Sequence, residues 1–185
     1  MLTILFSLSS LLLINTVNAA SVHVYANCTY EVSCALVDGT PPGTAHPPRP
    51  DSPSFRPVGA GFHVDNLREN VGQGIHCVRS TDTSNEALLE WMYDTAGAVS
   101  TIWWDGSLVD GDPFHNEGFH VSTGRQQPPP GPSPFDRCWD IHCPAGGCAE
   151  AQVYHLPEDD RNPSDNNPMR ACPQEVSLIW SICLS

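Results

Sequence analysis

Leu88-Leu89-Glu90-Trp91-Met92-Tyr93, then Thr95-Ala96-Gly97, then Ser100-Thr101-Ile102-Trp103-Trp104 is the stretch on which the fold turns. Leu88, Leu89, Met92 and Tyr93 have the spacing of one helix face. The run is short, however, and the turn residues 95–97 end it. A β-branched and aromatic run follows at once. Two apolar runs joined by a glycine-containing turn read as a β-hairpin. Trp103 and Trp104 are adjacent, so on a strand they face opposite sides. One belongs to the core. The other lies on the surface, where an indole stacks on a sugar ring, or under the proline-rich loop at residues 125–135.

Outward from the hairpin, residues 21–25, 30–37, 72–80, 118–123 and 175–184 also read as strands. Residues 149–155 read as one short helix, stopped before Pro157. Proline is dense in residues 40–57 and again in 125–135, so both stretches are surface loops. The chain has 18 prolines and 14 glycines, and no internal repeat. Many short strands, Gly/Pro turns and little helix signal give an all-β sandwich or barrel.

The N-terminus sets the compartment. Residues 2–6 and 11–14 form an apolar run too short to span a bilayer comfortably, and it ends in Asn18-Ala19-Ala20. Val17 and Ala19 suit the positions flanking a signal-peptidase cut. Residues 1–19 are therefore expected to be a signal peptide and residues 20–185 a single domain. Cleavage one residue later would leave Ser21-Val22-His23, whose amine, amides and imidazole can square-planar-ligate copper(II). Asn18 at minus three disfavours that cut. In an oxidising compartment the 8 cysteines should be disulfides rather than thiolates. Cys138, Cys143 and Cys148, with His142 and His155 nearby, superficially suggest zinc, but a disulfide closing the short loop from Cys143 to Cys148 is the stronger reading. No cofactor and no metal are expected. Asn27-Cys28-Thr29 is a glycosylation sequon, with Asn27 the acceptor.

The formal net charge is −13, and all 8 basic residues are arginine. Such a chain repels phosphates and anionic lipid, so neither nucleic acid nor, after signal cleavage, a membrane is an expected partner. A neutral polymer, a cation or a basic surface fits better. No apolar run after the leader is long enough for an anchor. Asp105, Asp110 and Asp112 crowd one segment, with Asp159 and Asp160 in another loop. Paired carboxylates can do glycosidase chemistry, but Asp110-Gly111-Asp112-Pro113 also builds turns, and turn-building is the favoured reading. No G-x-S-x-G is present, and oxidised cysteines cannot attack.

Three stretches carry a family resemblance. The first is Val24-Tyr25-Ala26-Asn27-Cys28-Thr29-Tyr30-Glu31-Val32. The second runs from Glu90-Trp91-Met92-Tyr93-Asp94 through Ile102-Trp103-Trp104-Asp105 to Ser107-Leu108-Val109-Asp110-Gly111-Asp112-Pro113-Phe114. The third is Cys143-Pro144-Ala145-Gly146, Cys148, Ala151, Tyr154-His155, Pro157, Asp159-Asp160, Cys172 and Cys183. In this order they resemble the small fungal thaumatin-like proteins, the yeast-phase-specific antigen family. Cys34 and Cys77 depart from the pattern, and the disulfide-rich signature of the large plant thaumatins is missing. The resemblance implies a thaumatin-like antiparallel β-sandwich with disulfide-stapled, Pro-rich loops. It also implies pairing of Cys28 with Cys183. Cys143–Cys148 then leaves Cys138 with Cys172, and the two unexpected cysteines, Cys34 and Cys77, with each other.

The expected protein is secreted and non-catalytic, with an extracellular or cell-wall interaction role that includes contact with β-glucan. The candidate ligand-binding residues are Asp105, Asp110, Asp112, Trp103 and Trp104, with no catalytic residue carried over. Two alternatives stand beside it. One is a weak endo-β-1,3-glucanase using loop carboxylates. The other is a host-directed effector or inhibitor that binds another extracellular protein.

Overall fold

The computed structural model describes residues 20–39, 53–124, 137–156, 168–173 and 175–184. The leader, most of both proline-rich stretches and the Asp159-Asp160 loop lie outside the described residues. Eleven strands are present among them: β1 (Val22–Ala26), β2 (Val32–Asp38), β3 (Arg56–Pro57), β4 (Phe62–Val64), β5 (Gly72–Arg79), β6 (Asp82–Asp94), β7 (Thr101–Ser107), β8 (Phe119–Ser122), β9 (Ile141–Cys143), β10 (Arg170–Pro173) and β11 (Leu178–Ile182). They form a five-stranded sheet, β4-β1-β11-β8-β9, and a six-stranded sheet, β10-β7-β6-β5-β2-β3. The protein is an all-β sandwich. Its pairing is antiparallel except between β1 and β11, which run parallel.

Period-two alternation explains the layers. In the five-stranded sheet Val22, Val24, Phe62, Val64, Phe119, Val121, Ile141, Leu178, Trp180 and Ile182 point inward and are buried. The six-stranded sheet sends Cys34, Ile75, Cys77, Ala87, Leu89, Trp91, Ile102 and Trp104 into the same core. The buried indoles are partnered where the register allows. Trp91 Nε1 donates to Gln73 Oε1 at 3.3 Å, and Trp104 Nε1 donates to Cys172 Sγ at 3.3 Å. Pro57 lies in an edge strand, where its missing N–H costs no ladder bond.

Two local expectations are corrected. Residues 149–155 are not a helix. They turn through a Gln152 N–H to Ala149 carbonyl bond at 2.8 Å, and Tyr154 then pairs with the edge of β7. Tyr154 N–H donates to the Gly106 carbonyl at 2.9 Å and Leu108 N–H to the Tyr154 carbonyl at 2.8 Å. Those bonds offer the backbone more than one short, poorly nucleated helical turn would. The second correction is the reach of β6. It begins at Asp82, because its polar first half continues the ladder from the tight turn after β5.

The structure joins Cys28 to Cys183, Cys34 to Cys77, Cys138 to Cys172 and Cys143 to Cys148. Cys34 and Cys77 are direct cross-strand partners of β2 and β5. Cys28–Cys183 spans 155 residues and Cys143–Cys148 spans 5. The two intermediate bridges short-cut the long loop to roughly 80 residues, worth about 4–5 kcal/mol by chain entropy, against about 2 kcal/mol for the short loop. Urea denaturation should therefore show Cys28→Ala/Cys183→Ala losing roughly twice what Cys143→Ala/Cys148→Ala loses. Equal losses would mean that native-state strain or residual unfolded-state structure decides instead.

Candidate functional site

The register of the six-stranded sheet fixes its outer face row by row. One row runs Val37, Gly74, Glu90, Asp105 across β2, β5, β6 and β7. A neighbouring row carries Gly72, Met92, Trp103 and Ala171 across β5, β6, β7 and β10, and the row on the other side carries Ala35, His76, Leu88 and Ser107. Gly72 and Gly74 have no side chain to raise, while Trp103, Met92, Glu90 and His76 rise around them. The result is a groove of about 570 Å³ lined by these residues, Asp105 and Met169. A second hollow of about 350 Å³ shares Glu90, Asp105 and Met169 and continues to Ser107, Asp110, Tyr154 and Leu156.

Two carboxylates meet in this groove. Glu90 and Asp105 are directly opposite in the β6–β7 ladder, a relation that sets Cβ atoms about 4.5–5.5 Å apart. Asp105 is 7% exposed, and its Oδ1 has no hydrogen-bond partner. Burial pushes its carboxyl well above the usual 3.8, the Glu90 charge pushes it further, and Arg170 pulls back. Glu90 touches solvent along the groove but is also raised. Loss of hydration leads, His76 opposes, and Asp110 adds to it. Behind the wall, His76 Nδ1 and Glu86 Oε2 lie 2.7 Å apart, both buried.

Arg170 is fully buried at the sheet edge. Its guanidinium donates to the Pro168 and Ala151 carbonyls and lies 4.9 Å from the Trp139 ring centroid. Desolvation lowers it to about 10, with Asp105 the main opposing influence. It anchors the 151 and 168 segments beside the groove.

The structure splits the five candidates. Trp103 and Asp105 line the main groove, and Asp110 joins them at its extension. Asp105 lies inside β7 rather than in a loop at one end of the sandwich. Trp104 belongs to the core, with no exposed surface. Asp112 sits elsewhere, 3.0 Å from His115 Nδ1. Glu90, His76 and the two glycines of β5 were missed as site residues. A lone glutamate in the apolar run 88–93 was the available signal. Asn27 is exposed in the turn between β1 and β2. Cys138, Cys143 and Cys148 hold disulfides. Among the described residues no group of three or more His, Cys, Asp or Glu could hold a metal ion.

A family model described as Bys1, Blastomyces yeast-phase-specific protein, matches residues 9–184. The chain belongs to this family. Among solved structures, the crystal structure of the protein elicitor MoHrip2 from Magnaporthe oryzae is similar, with a TM-score of 0.57 and 17% identity over 89% of this chain and 99% of that one. At that identity the likeness concerns the fold. A comparison with curated proteins finds no match. Within the Bys1 family frame, the block from Glu90 to Phe114 supplies the groove's Glu90, Met92, Trp103 and Asp105, and Asp110 at its extension.

The raised Asp105 has a sign that can be checked. A carboxyl that holds its proton more tightly when folded stabilises the fold below its unfolded value, and that contribution is lost as pH rises through the folded value. Asp105→Asn should therefore match the parent near about pH 4 and be the more stable protein near about pH 8 in thermal melts. A variant less stable at the higher pH would show that Asp105 is ionised and held by Arg170.

Proposed function

We propose that the protein is a secreted, non-catalytic, thaumatin-like interaction protein that binds a neutral glycan, of the β-1,3-glucan class, in the outer groove of the six-stranded sheet. The observation that carries the reading is the buried, unpartnered Asp105 Oδ1 on a groove wall beside the partly buried Trp103 indole. A sugar offers what both lack. Its hydroxyls satisfy the carboxyl, and its apolar ring face covers Trp103. The long, open groove over glycines suits a chain better than a compact ligand. Four disulfides support an oxidising, extracellular or wall-associated setting. The fold-level neighbour is titled a protein elicitor, which accords with an extracellular interaction role.

The Glu90–Asp105 pair favours one second reading, a weak endo-β-1,3-glucanase. Two carboxyls stand opposite each other across the β6–β7 ladder, and the raised proton affinity of Asp105 suits the acid of a two-carboxyl glycosidase, with Glu90 as its ionised partner. Pull-down on insoluble β-1,3-glucan, with a reducing-sugar assay on the same tubes, separates the two. Capture without sugar release is expected. Gly72→Leu should abolish capture, because a Cβ at Gly72 meets nothing within 4 Å and its side chain would fill the groove. Its melting temperature should move by less than about 2 °C. Undiminished capture by that variant would remove the groove from the account. Sugar release lost in Glu90→Gln would establish the enzyme.

A further inference from the structure

The two hollows on the outer face of the six-stranded sheet meet at an acidic junction. Glu90, Asp105 and Met169 line both hollows, and Asp110 stands in the extension with Ser107 and Tyr154. The carboxyls feel one another: Glu90 raises the proton affinity of Asp105, and Asp110 raises that of Glu90. Among the described residues neither Glu90 nor Asp105 is in an ion pair. The neighbouring basic groups are committed elsewhere. Arg170 is fully buried and donates to the Pro168 and Ala151 carbonyls, and His76 lies 2.7 Å from Glu86.

A second observation points to a ligand. Asp105 is 7% exposed and lines both hollows, and its buried Oδ1 has no hydrogen-bond partner. A hydroxyl would satisfy that atom but leave the repulsion among three carboxyls. A bare metal ion does not fit, since among the described residues no group of three His, Cys, Asp or Glu could hold one. A primary ammonium meets both needs. Its three N–H donors can reach separate acceptors, and its charge offsets the repulsion.

We propose that the junction of the two hollows is a subsite for a primary ammonium carried on a glycan, so that the groove prefers a chain containing an unacetylated amino sugar to a wholly neutral one. This rests on the reading of the groove as a glycan site and names the class of chain it selects. A sheet takes up a peptide by adding it as a strand at a free edge, and the junction has no free edge. β6 is paired on both sides. β7 is paired with β10 as far as Trp104, and beyond it the Gly106 carbonyl and the Leu108 N–H are bonded to Tyr154. A peptide laid across this face would bury backbone groups without partners. A sugar carries its polar groups on a ring with apolar faces. Leu88, Val109 and Leu156 border the extension and suit such a face, while the carboxyls suit the amine. N-acetylation removes the charge and leaves a single N–H, so an acetylated unit loses both contributions.

Calorimetric titration of the mature protein with hexamers of glucosamine, of N-acetylglucosamine and of β-1,3-linked glucose reads the preference, at a pH where the amine is protonated. The glucosamine hexamer should bind on the order of 10-fold more tightly than its acetylated counterpart, as charge-assisted hydrogen bonds allow. Asp110→Asn and Asp105→Asn should each cut that preference to about 2-fold or less, and Asp110→Asn should leave the β-1,3-glucose hexamer unaffected. Asp112→Asn removes the same charge away from the junction, beside His115. It should keep the preference, which separates a subsite from general attraction of a polycation to a net charge of −13. Equal binding of the two amino-sugar hexamers would overturn the subsite. So would a preference that survives both junction variants or falls equally in Asp112→Asn. A lysine hexapeptide that displaces the glucosamine hexamer and outbinds it would make the junction a basic-peptide site instead. The β-1,3-glucose hexamer keeps the two readings apart: bound with no preference for the amine, it removes the subsite alone, whereas no binding of any hexamer removes the glycan groove as well.

Discussion

Everything in the groove depends on the register of β6 between β5 and β7. Side chains alternate along a strand, so a slip of one residue would exchange the two faces of β6. Leu89 and Trp91 would enter solvent, and Glu90 would enter the core. Neither exchange is tolerable, because an indole would lose its burial and a carboxyl its water. The register is held at both sides. Cys34–Cys77 locks β2 to β5, and Cys138–Cys172 fixes β10, which pairs with β7. Core packing and groove chemistry are two faces of one constraint.

The groove places a carboxyl where solvent cannot stabilise its charge. Paired acids on adjacent strands repel when both are ionised. The fold relieves this from two directions: Arg170 lies beyond Asp105, and His76 lies beside Glu90. His76 is itself tied to Glu86, so its position is set independently of the groove. The surrounding charges thus temper the acid pair and still leave the buried Asp105 Oδ1 without a hydrogen-bond partner.

Much of the fold was legible because its signals are local. The hairpin at residues 88–104 announced itself through a turn between two apolar runs, and Trp103/Trp104 through adjacency alone. The polar half of β6 was not legible, since Asp82-Thr83-Ser84 reads as a turn until a partner strand is present. The 149–155 stretch failed for a related reason: its backbone partners are Gly106 and Leu108 at the end of β7, nearly fifty residues earlier. The site was half legible for the same cause. Asp105 and Trp103 stood out beside each other, but Glu90 and His76 reach the groove only through cross-strand register, and Asp112 shares sequence with the site but not space.

An unpartnered buried atom is not by itself a site, and this molecule supplies its own controls. Asn85 Oδ1, Arg170 Nε and Trp180 Nε1 are also buried without partners. Trp180 lies in the core, 1% exposed and packed edge-on against Phe119 at 5.8 Å between ring centroids. Asn85 sits against Gly111, where a Cβ would fall 2.1 Å from its Oδ1, so its cost follows from a close backbone approach. Arg170 uses its other nitrogens on two carbonyls. Asp105 differs from all three in lining both hollows of the outer face. An unsatisfied polar group costs about 1–3 kcal/mol, and an apolar residue in β7 would avoid that cost without altering the ladder. The burden is therefore local to the groove wall, where a bound hydroxyl can remove it.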